Sequence, residues 1–547
     1  MTFRPPGKPV PSFSRQVAPG LTLLVGLAVA ARAWLQFHTP LAPGMNGAYY
    51  FVQARALLER GRLGIPDFPL TFYLQAAFAW LLEHAGGLAQ ERAIVAAVKI
   101  SDSLLPPLVA VPVAWLGWRW RCGNRAPSVL AALAPASVVC LGAQALSMTG
   151  DFQKNALALV WFAALALALH VFLDQRGWRN ALAPLGFLAL LGLTHVGVLG
   201  AALVFVGGLA VAATGAAGRK NLSHVLVPGL FGAGVLVLTG VIAYAAFDPA
   251  RIKRLAQAFL QPSSFVGSHA PGGGPPPGGK AGGGPGIPLM NPPPDGPPPP
   301  PPGPAFGSPG APGSGWVTGI PAGLCLLLGA GGMGLAWSRR GILSAADFAV
   351  AVAASGTAAA LGGPFFDGEM SDRLLLIAAV PAAMALSFLL AQVASRLVRV
   401  GIGGLVLAAV GAGVIVYLPH GGRAAIAEET RAELGVIARA LPAGGRALVV
   451  ARHGLEWWAA WVLHTRIAQP GAVTTGDWSR FDPIYYLTEK HRDEFPGPAP
   501  GMPPGERHPS GGGPFGTRVP ENARVVFAGR QLTLSLVSSA PEWLDEE

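Results

Sequence analysis

A handful of polar residues in this apolar chain have side chains able to do chemistry: Asn46, Asp67, Asp151, Lys154, His195, Asp367, Glu369, Asp372 and Arg373. The carboxylates could take a proton from an attacking hydroxyl, or hold a divalent cation such as Mg or Mn. Lys154 or Arg373 could hold a phosphate. Asp151 and Asp67 are the candidate catalytic groups, and Asn46, Tyr49, Tyr50, Lys154, His195 and Arg373 the candidate substrate-binding residues. Asp151, Glu369 and Asp372 are the candidate metal ligands. Each has a plainer reading: Gly150-Asp151 could cap the helix starting near Phe152, His195 could be a hydrogen-bonded turn residue, and Asp372-Arg373 an ordinary ion pair. Lys99 and Asp102, three residues apart on one face of an apolar helix, are expected to pair with each other.

The elements that must position these residues are membrane helices. The 547 residues are 52% hydrophobic and only 12% charged, about half the charge fraction usual for a soluble protein. Mean hydropathy is +0.46. The net charge of +11 does not point to nucleic acid, because the basic residues sit in short clusters between apolar runs, as the positive-inside rule expects. Placing Arg119/Arg121/Arg125, Arg176/Arg179, Arg219/Lys220, Arg339/Arg340 and Arg396/Arg399 on the cytoplasmic side gives about eleven spans. They run near 17–37, 93–118, 127–147, 155–173, 181–194, 196–215, 225–246, 317–337, 344–361, 374–392 and 400–417. The first is expected to be an uncleaved span rather than a signal peptide, since Arg32 lies within it. The cysteines Cys122, Cys140 and Cys325 fall in or beside spans without metal-ligand spacing.

The expected fold is thus an all-α polytopic bundle with a cytoplasmic tail at 1–16 and a seven-span module at 17–246. A Pro/Gly-rich external loop at 247–316, disordered by composition, separates it from four further spans at 317–417. A small external α/β domain follows at 418–547. Within the first external loop, Asn46 as N-cap and Gly61 as C′ residue frame a helix whose tyrosines would lie at headgroup depth. A second apolar, aromatic-rich stretch at 70–82 reads as another interfacial or re-entrant helix. In the tail, 424–441 and 455–465 read as helices, 446–451 as a strand, and 524–528 with 531–537 as a hairpin. Glu456-Trp457-Trp458 reads as packing at the domain–membrane junction.

The arrangement resembles the multi-spanning glycosyltransferases of C-type fold (GT-C), which include oligosaccharyltransferases, protein O-mannosyltransferases and lipid A aminoarabinose transferases. In that family the first external loop often carries Asp/Glu-x-x-Tyr-Tyr opening an interfacial helix. Asn46-Gly47-Ala48-Tyr49-Tyr50 followed by Ala54-Arg55-Ala56-Leu57-Leu58-Glu59-Arg60-Gly61 is similar to it. Gly150-Asp151-Phe152-Gln153-Lys154-Asn155 matches the placement of a second acidic position at the next external turn. The chain departs from the pattern at its first acidic position, where Asn46 stands; an amide cannot act as a base at neutral pH.

The resemblance implies a membrane glycosyltransferase that moves a sugar from a polyprenyl-phosphate-linked donor, with its tail among the spans and surrounding lipids, to an acceptor glycan, lipid or protein. It would lie in the cell's inner membrane, with the N-terminus cytoplasmic and the C-terminal domain periplasmic. Asp151 is then the first choice of base or metal ligand. A transporter or flippase, or a non-catalytic relative of the fold, are the alternatives; the absence of an internal repeat speaks against transport.

Overall fold

The computed structural model describes residues 13–120, 128–175, 177–217, 314–363, 368–441, 446–490 and 519–539. A short turn, α1 (Phe13–Gln16), leads into the first long helix, α2 (Ala18–Phe37). Two helices of the first loop follow, α3 (Gly47–Arg60) and α4 (Leu70–His84). Then α5 (Gln90–Leu104) and α6 (Ala110–Arg119) form one span interrupted by a 3-10 turn at Pro106–Val109, where adjacent prolines remove helical N–H donors. After α7 (Val129–Leu141) and the short α8 (Ala143–Ser147) come α9 (Gln153–Asp174), α10 (Trp178–Thr194) and α11 (Val196–Ala217). The last membrane helices are α12 (Ser314–Ser338), α13 (Ala345–Gly362), α14 (Gly368–Gln392) and α15 (Arg396–His420). Serine caps start several of them: Ser128, Ser344 and Ser395 each accept a backbone N–H three residues on.

Among the described residues, nine helical segments are long and apolar enough to cross a bilayer. They coincide with nine of the expected spans. Of the other two, 181–194 falls within α10, which is 17 residues long, and 225–246 lies outside the described residues. Most of the expected 247–316 loop also lies outside them, although α12 already begins at Ser314. Alanine-rich faces let α13 sit in the middle of the bundle, with Ala349, Ala351, Ala354 and Ala358 fully buried. Peripheral α15 instead exposes Leu397, Leu405 and Ile415, as a lipid-facing helix would.

Beyond α15 the chain forms α16 (Glu428–Ala440), β1 (Leu448–Ala451), α17 (Leu455–Leu463) and β2 (Arg466–Ala468). Then follow α18 (Thr475–Arg480), β3 (Ile484–Glu489), β4 (Arg524–Ala528) and β5 (Leu532–Val537). The sheet order is β2-β1-β3-β5-β4, with β1 parallel to both neighbours and β5 antiparallel to both of its own. The expected helices, first strand and terminal hairpin are present; β2, β3 and α18 were not anticipated. Because strand side chains alternate, β1 feeds two cores at once. Leu448 and Val450 join one apolar cluster, while Val449 and Ala451 join another that also contains Tyr49, Tyr50, Phe51, Phe72 and Ile94. The first loop and the C-terminal domain therefore share a hydrophobic core, distinct from the one among the spans.

Candidate active site

Two glycines in left-handed backbone bring the first loop against the turn before α9. Gly44 has φ +82°, and a Cβ there would lie 2.4 Å from the Asp151 Cβ; Gly150 has φ +83°, and a Cβ there would lie 2.3 Å from the Pro43 carbonyl oxygen. No larger residue allows that approach. Across it, the Asn46 backbone N–H and side-chain amide both donate to Asp151 Oδ1 at 2.8 Å. Asn46 occupies the N-cap position of α3, but its side chain makes no capping bond. Asp151 does not cap α9 either; its carboxylate turns to the first loop. Both capping expectations are thus corrected, and for one reason: a partner about a hundred residues away is the better hydrogen-bond donor or acceptor. Asp151 remains partly exposed, and its Oδ2 accepts no hydrogen bond from the described residues.

Asp67, 3% exposed, is the second carboxylate of this group. It is ion-paired with Lys154 and accepts the Tyr49 hydroxyl at 2.5 Å and the Phe68 N–H at 2.8 Å. Gln53, one turn along α3, donates to the Tyr49 oxygen at 3.0 Å and accepts the Gly64 and Ile65 N–H groups. That ties the 61–69 segment to the helix. The Lys154 ammonium also lies 5.7 and 5.6 Å from the ring centres of Tyr49 and Phe72, within cation–π range. Tyr50 donates to the Asp151 carbonyl at 3.3 Å and accepts the Lys154 N–H at 3.4 Å. Burial, and for Tyr49 also the neighbouring Asp67 charge, raises both phenols well above their usual value. They remain donors at any physiological pH.

The tyrosines, expected to face lipid headgroups, are instead enclosed by protein. Tyr49 packs at 4.7 Å on Trp457 of α17 and at 5.5 Å on Phe72 of α4. The same domain is pinned at the far end of α3, where Arg55 donates to the carbonyls of Ala460 and Trp461 at 2.7 and 2.8 Å.

Beneath the site lies a buried network that the sequence did not foretell. Asp102 accepts Arg32 Nη2 at 2.7 Å, Gln36 Nε2 at 2.6 Å and the Gly150 N–H at 2.9 Å. Lys99 points elsewhere, donating to the carbonyls of Thr39 and Leu41 at 2.9 and 3.0 Å. The expected Lys99–Asp102 pair is therefore wrong: Arg32 supplies a guanidinium on the opposing helix, and a fork is the better match to a buried carboxylate. The network holds Gly150, and with it the turn that presents Asp151.

The hydrogen bonds uniting this group link Asn46, Tyr49, Tyr50, Asp67, Asp151 and Lys154. The remaining candidates belong to other elements. His195 breaks the chain between α10 and α11, its Nδ1 accepting the Val198 N–H at 3.3 Å. Asp372 and Arg373 are exposed near the start of α14, and Glu369 lies in its first turn. Asp367 falls outside the described residues. Among the described residues, no three His, Cys, Asp or Glu side chains gather as a metal-binding set.

Sequence reasoning missed His453 and assigned Glu456 only to packing. His453 Nδ1 lies 2.8 Å from Glu456 Oε1, and Gln469 donates to the same oxygen at 3.0 Å. The His453-x-x-Glu456 spacing at the start of a helix was the available signal.

No protein-family model matches this sequence, and no curated protein does. Among solved structures, the oligosaccharyltransferase of Archaeoglobus fulgidus, crystallised in complex with Zn and sulfate, superposes with a TM-score of 0.50 at 14% identity, covering 85% of this chain and 67% of its own. ArnT from Cupriavidus metallidurans aligns in its apo state with a TM-score of 0.49 at 12% identity, covering 96% and 100% of the two chains. Its structure bound to undecaprenyl phosphate gives 0.46 at 11%, covering 95% and 98%.

Proposed function

We propose that the chain, a multi-pass membrane bundle of GT-C-like fold similar to the archaeal oligosaccharyltransferase, is a membrane glycosyltransferase taking a sugar from a polyprenyl-phosphate-linked donor and giving it to an acceptor hydroxyl or amide on the non-cytoplasmic face. The observation that carries this reading is the Asp151–Asn46 contact, which joins a partly exposed carboxylate to the first loop beside a lysine.

In this reading Asn46 orients the Asp151 carboxylate by holding one oxygen, leaving Oδ2 to accept a hydrogen bond or a proton from the acceptor. Lys154, tethered by Asp67 under two aromatic rings, supplies positive charge for the departing phosphate. Tyr50 holds the Lys154 backbone at the right height. The Zn crystallised with the archaeal neighbour raises the question of a cation. Asp67 is already compensated by Lys154, and Asp151 is the one candidate metal ligand in the group, so the donors described do not assemble a cation site.

A second reading is favoured by one residue. Asn46 stands where the resembled family has an acid, which suits a non-catalytic relative that binds the lipid without turning it over. Both readings meet one assay: membranes containing the protein are supplied with a short-chain polyprenyl-phosphate hexose, and released polyprenyl phosphate is measured. Transfer that disappears in Asp151→Asn supports the enzyme, and turnover unchanged in that variant removes Asp151 from the mechanism. Donor bound but never consumed by the wild type supports the non-catalytic relative.

A further inference from the structure

Glu456 is fully buried at the start of α17, yet its Oε2 has no hydrogen-bond partner among the described residues. A lone buried carboxylate oxygen is costly unless the group has a task. Its other oxygen faces His453 Nδ1 at 2.8 Å. A carboxylate can only accept, so Nδ1 carries a proton and Nε2 of the neutral ring is left as the basic nitrogen. This is how an imidazole is oriented for proton transfer.

The pair is not remote from the candidate site. Next to His453, Gly454 is pressed against Met45: a Cβ on it would lie 3.0 Å from the methionine methyl carbon. Met45 lies between Gly44, packed on the Asp151 Cβ, and Asn46, bonded to its carboxylate. The 44–46 turn is thus held between Asp151 on one side and the 453–454 turn on the other. His453 is only partly buried, its side chain 39% exposed.

Building on the transferase reading, we infer that His453, oriented by Glu456, is a further catalytic base of this site, doing from the C-terminal domain what Asn46 cannot do from the first loop. His453 Nε2 takes the proton of the acceptor hydroxyl as its oxygen bonds to the anomeric carbon. The bond from that carbon to the phosphate oxygen breaks, the electron pair leaving with the polyprenyl phosphate, and the imidazolium formed is stabilised by Glu456. Asp151 then orients the acceptor by hydrogen bonding.

The charged groups facing His453 set the pH at which this works. The hydrogen bond and charge of Glu456 raise its pKa above the usual histidine value, Asp151 adds to the rise, and burial and Arg452 oppose it. A base must be neutral to act, so transfer should fall off on the acid side, through that raised value.

The test is a pH–rate profile of full-length protein in nanodiscs with the short-chain polyprenyl-phosphate hexose and a hydroxyl acceptor. His453→Gln should lower kcat at least 100-fold and flatten the acid limb. Glu456→Gln should keep measurable activity but move that limb to lower pH, which mere packing would not do. Nanodisc elution and melting checks keep misfolded variants from counting. If Asp151→Asn abolishes transfer while His453→Gln keeps the wild-type rate and profile, this inference fails and the transferase reading stands. If the wild type transfers nothing from this donor, the transferase reading fails, and this inference with it.

Discussion

Arg55 offers the most direct test of how the C-terminal domain is fastened to the first loop. Its guanidinium, 8% exposed, donates to two carbonyls of the last turn of α17 and lies 4.7 Å from the Trp461 ring centre. Hydrogen bonds from a charged group contribute about 1.5–3 kcal/mol each, and a cation–π contact about 0.5–1 kcal/mol. Desolvating the guanidinium offsets part of this, so Arg55→Ala should weaken docking by about 3 kcal/mol. That corresponds to about a 150-fold rise in the open population, since 1.36 kcal/mol is tenfold. Hydrogen–deuterium exchange of the protein in nanodiscs reads this directly, as faster exchange of α17 amides and of the facing side of α3. Amides of α9 and α13, whose core lies among the spans, should be unchanged. Arg55→Lys should recover only part of the protection, because an ammonium lacks the planar fork that reaches two adjacent carbonyls. Exchange rates within threefold of wild type in Arg55→Ala would refute the docking argument.

Further outcomes follow from other contacts. Gly44→Ala should be poorly tolerated, because its φ of +82° and its 2.4 Å approach to Asp151 leave no room for a methyl group; thermal melting should fall and transfer should be lost together. Asp102→Ala removes one partner of a buried pair with Arg32, which typically costs about 3–5 kcal/mol, and a lowered melting temperature in detergent checks it. For stability against pH, a folded pKa of His453 above its unfolded value means that the stabilisation its charge gains beside Glu456 is fully present below about pH 6.5 and lost as pH rises through the raised value. The melting-temperature gap between wild type and His453→Gln should therefore shrink from pH 6 to pH 9.

What the sequence made legible was periodicity and punctuation. Apolar runs marked nine spans that the structure contains, Gly61 ended α3 with φ +66°, and the hairpin of β4 and β5 turns where glycine and arginine suggested. Partners distant in the chain were not legible. The spacing of Lys99 and Asp102 said that they share a face, but not that Arg32 stands opposite, seventy residues away. Arg32 looked only like an awkward charge in the first span. Asn46 and Asp151 each looked like a helix cap, because capping is the nearest use for such residues, and only the loop approach at Gly44 and Gly150 redirects them to each other. The strand β3 escaped notice because its central position comes from β1 and β5 pairing on either side of it, not from an alternating pattern of its own.

One backbone contact has a bearing on biogenesis. Gly44 bridges Ala424 in parallel, its N–H reaching the Arg423 carbonyl at 2.9 Å. A loop translated near the start of synthesis is thus stitched to residues that emerge only after the last described membrane helix. While the ribosome is still feeding helices into the membrane, the early loop can already meet Asp151 and Lys154, but this last fastening is missing. Closure of the loop against the C-terminal domain waits for the end of translation, and a chain cut short at residue 420 would hold every span described and the Asn46–Asp151 contact, without the bridge that backs it.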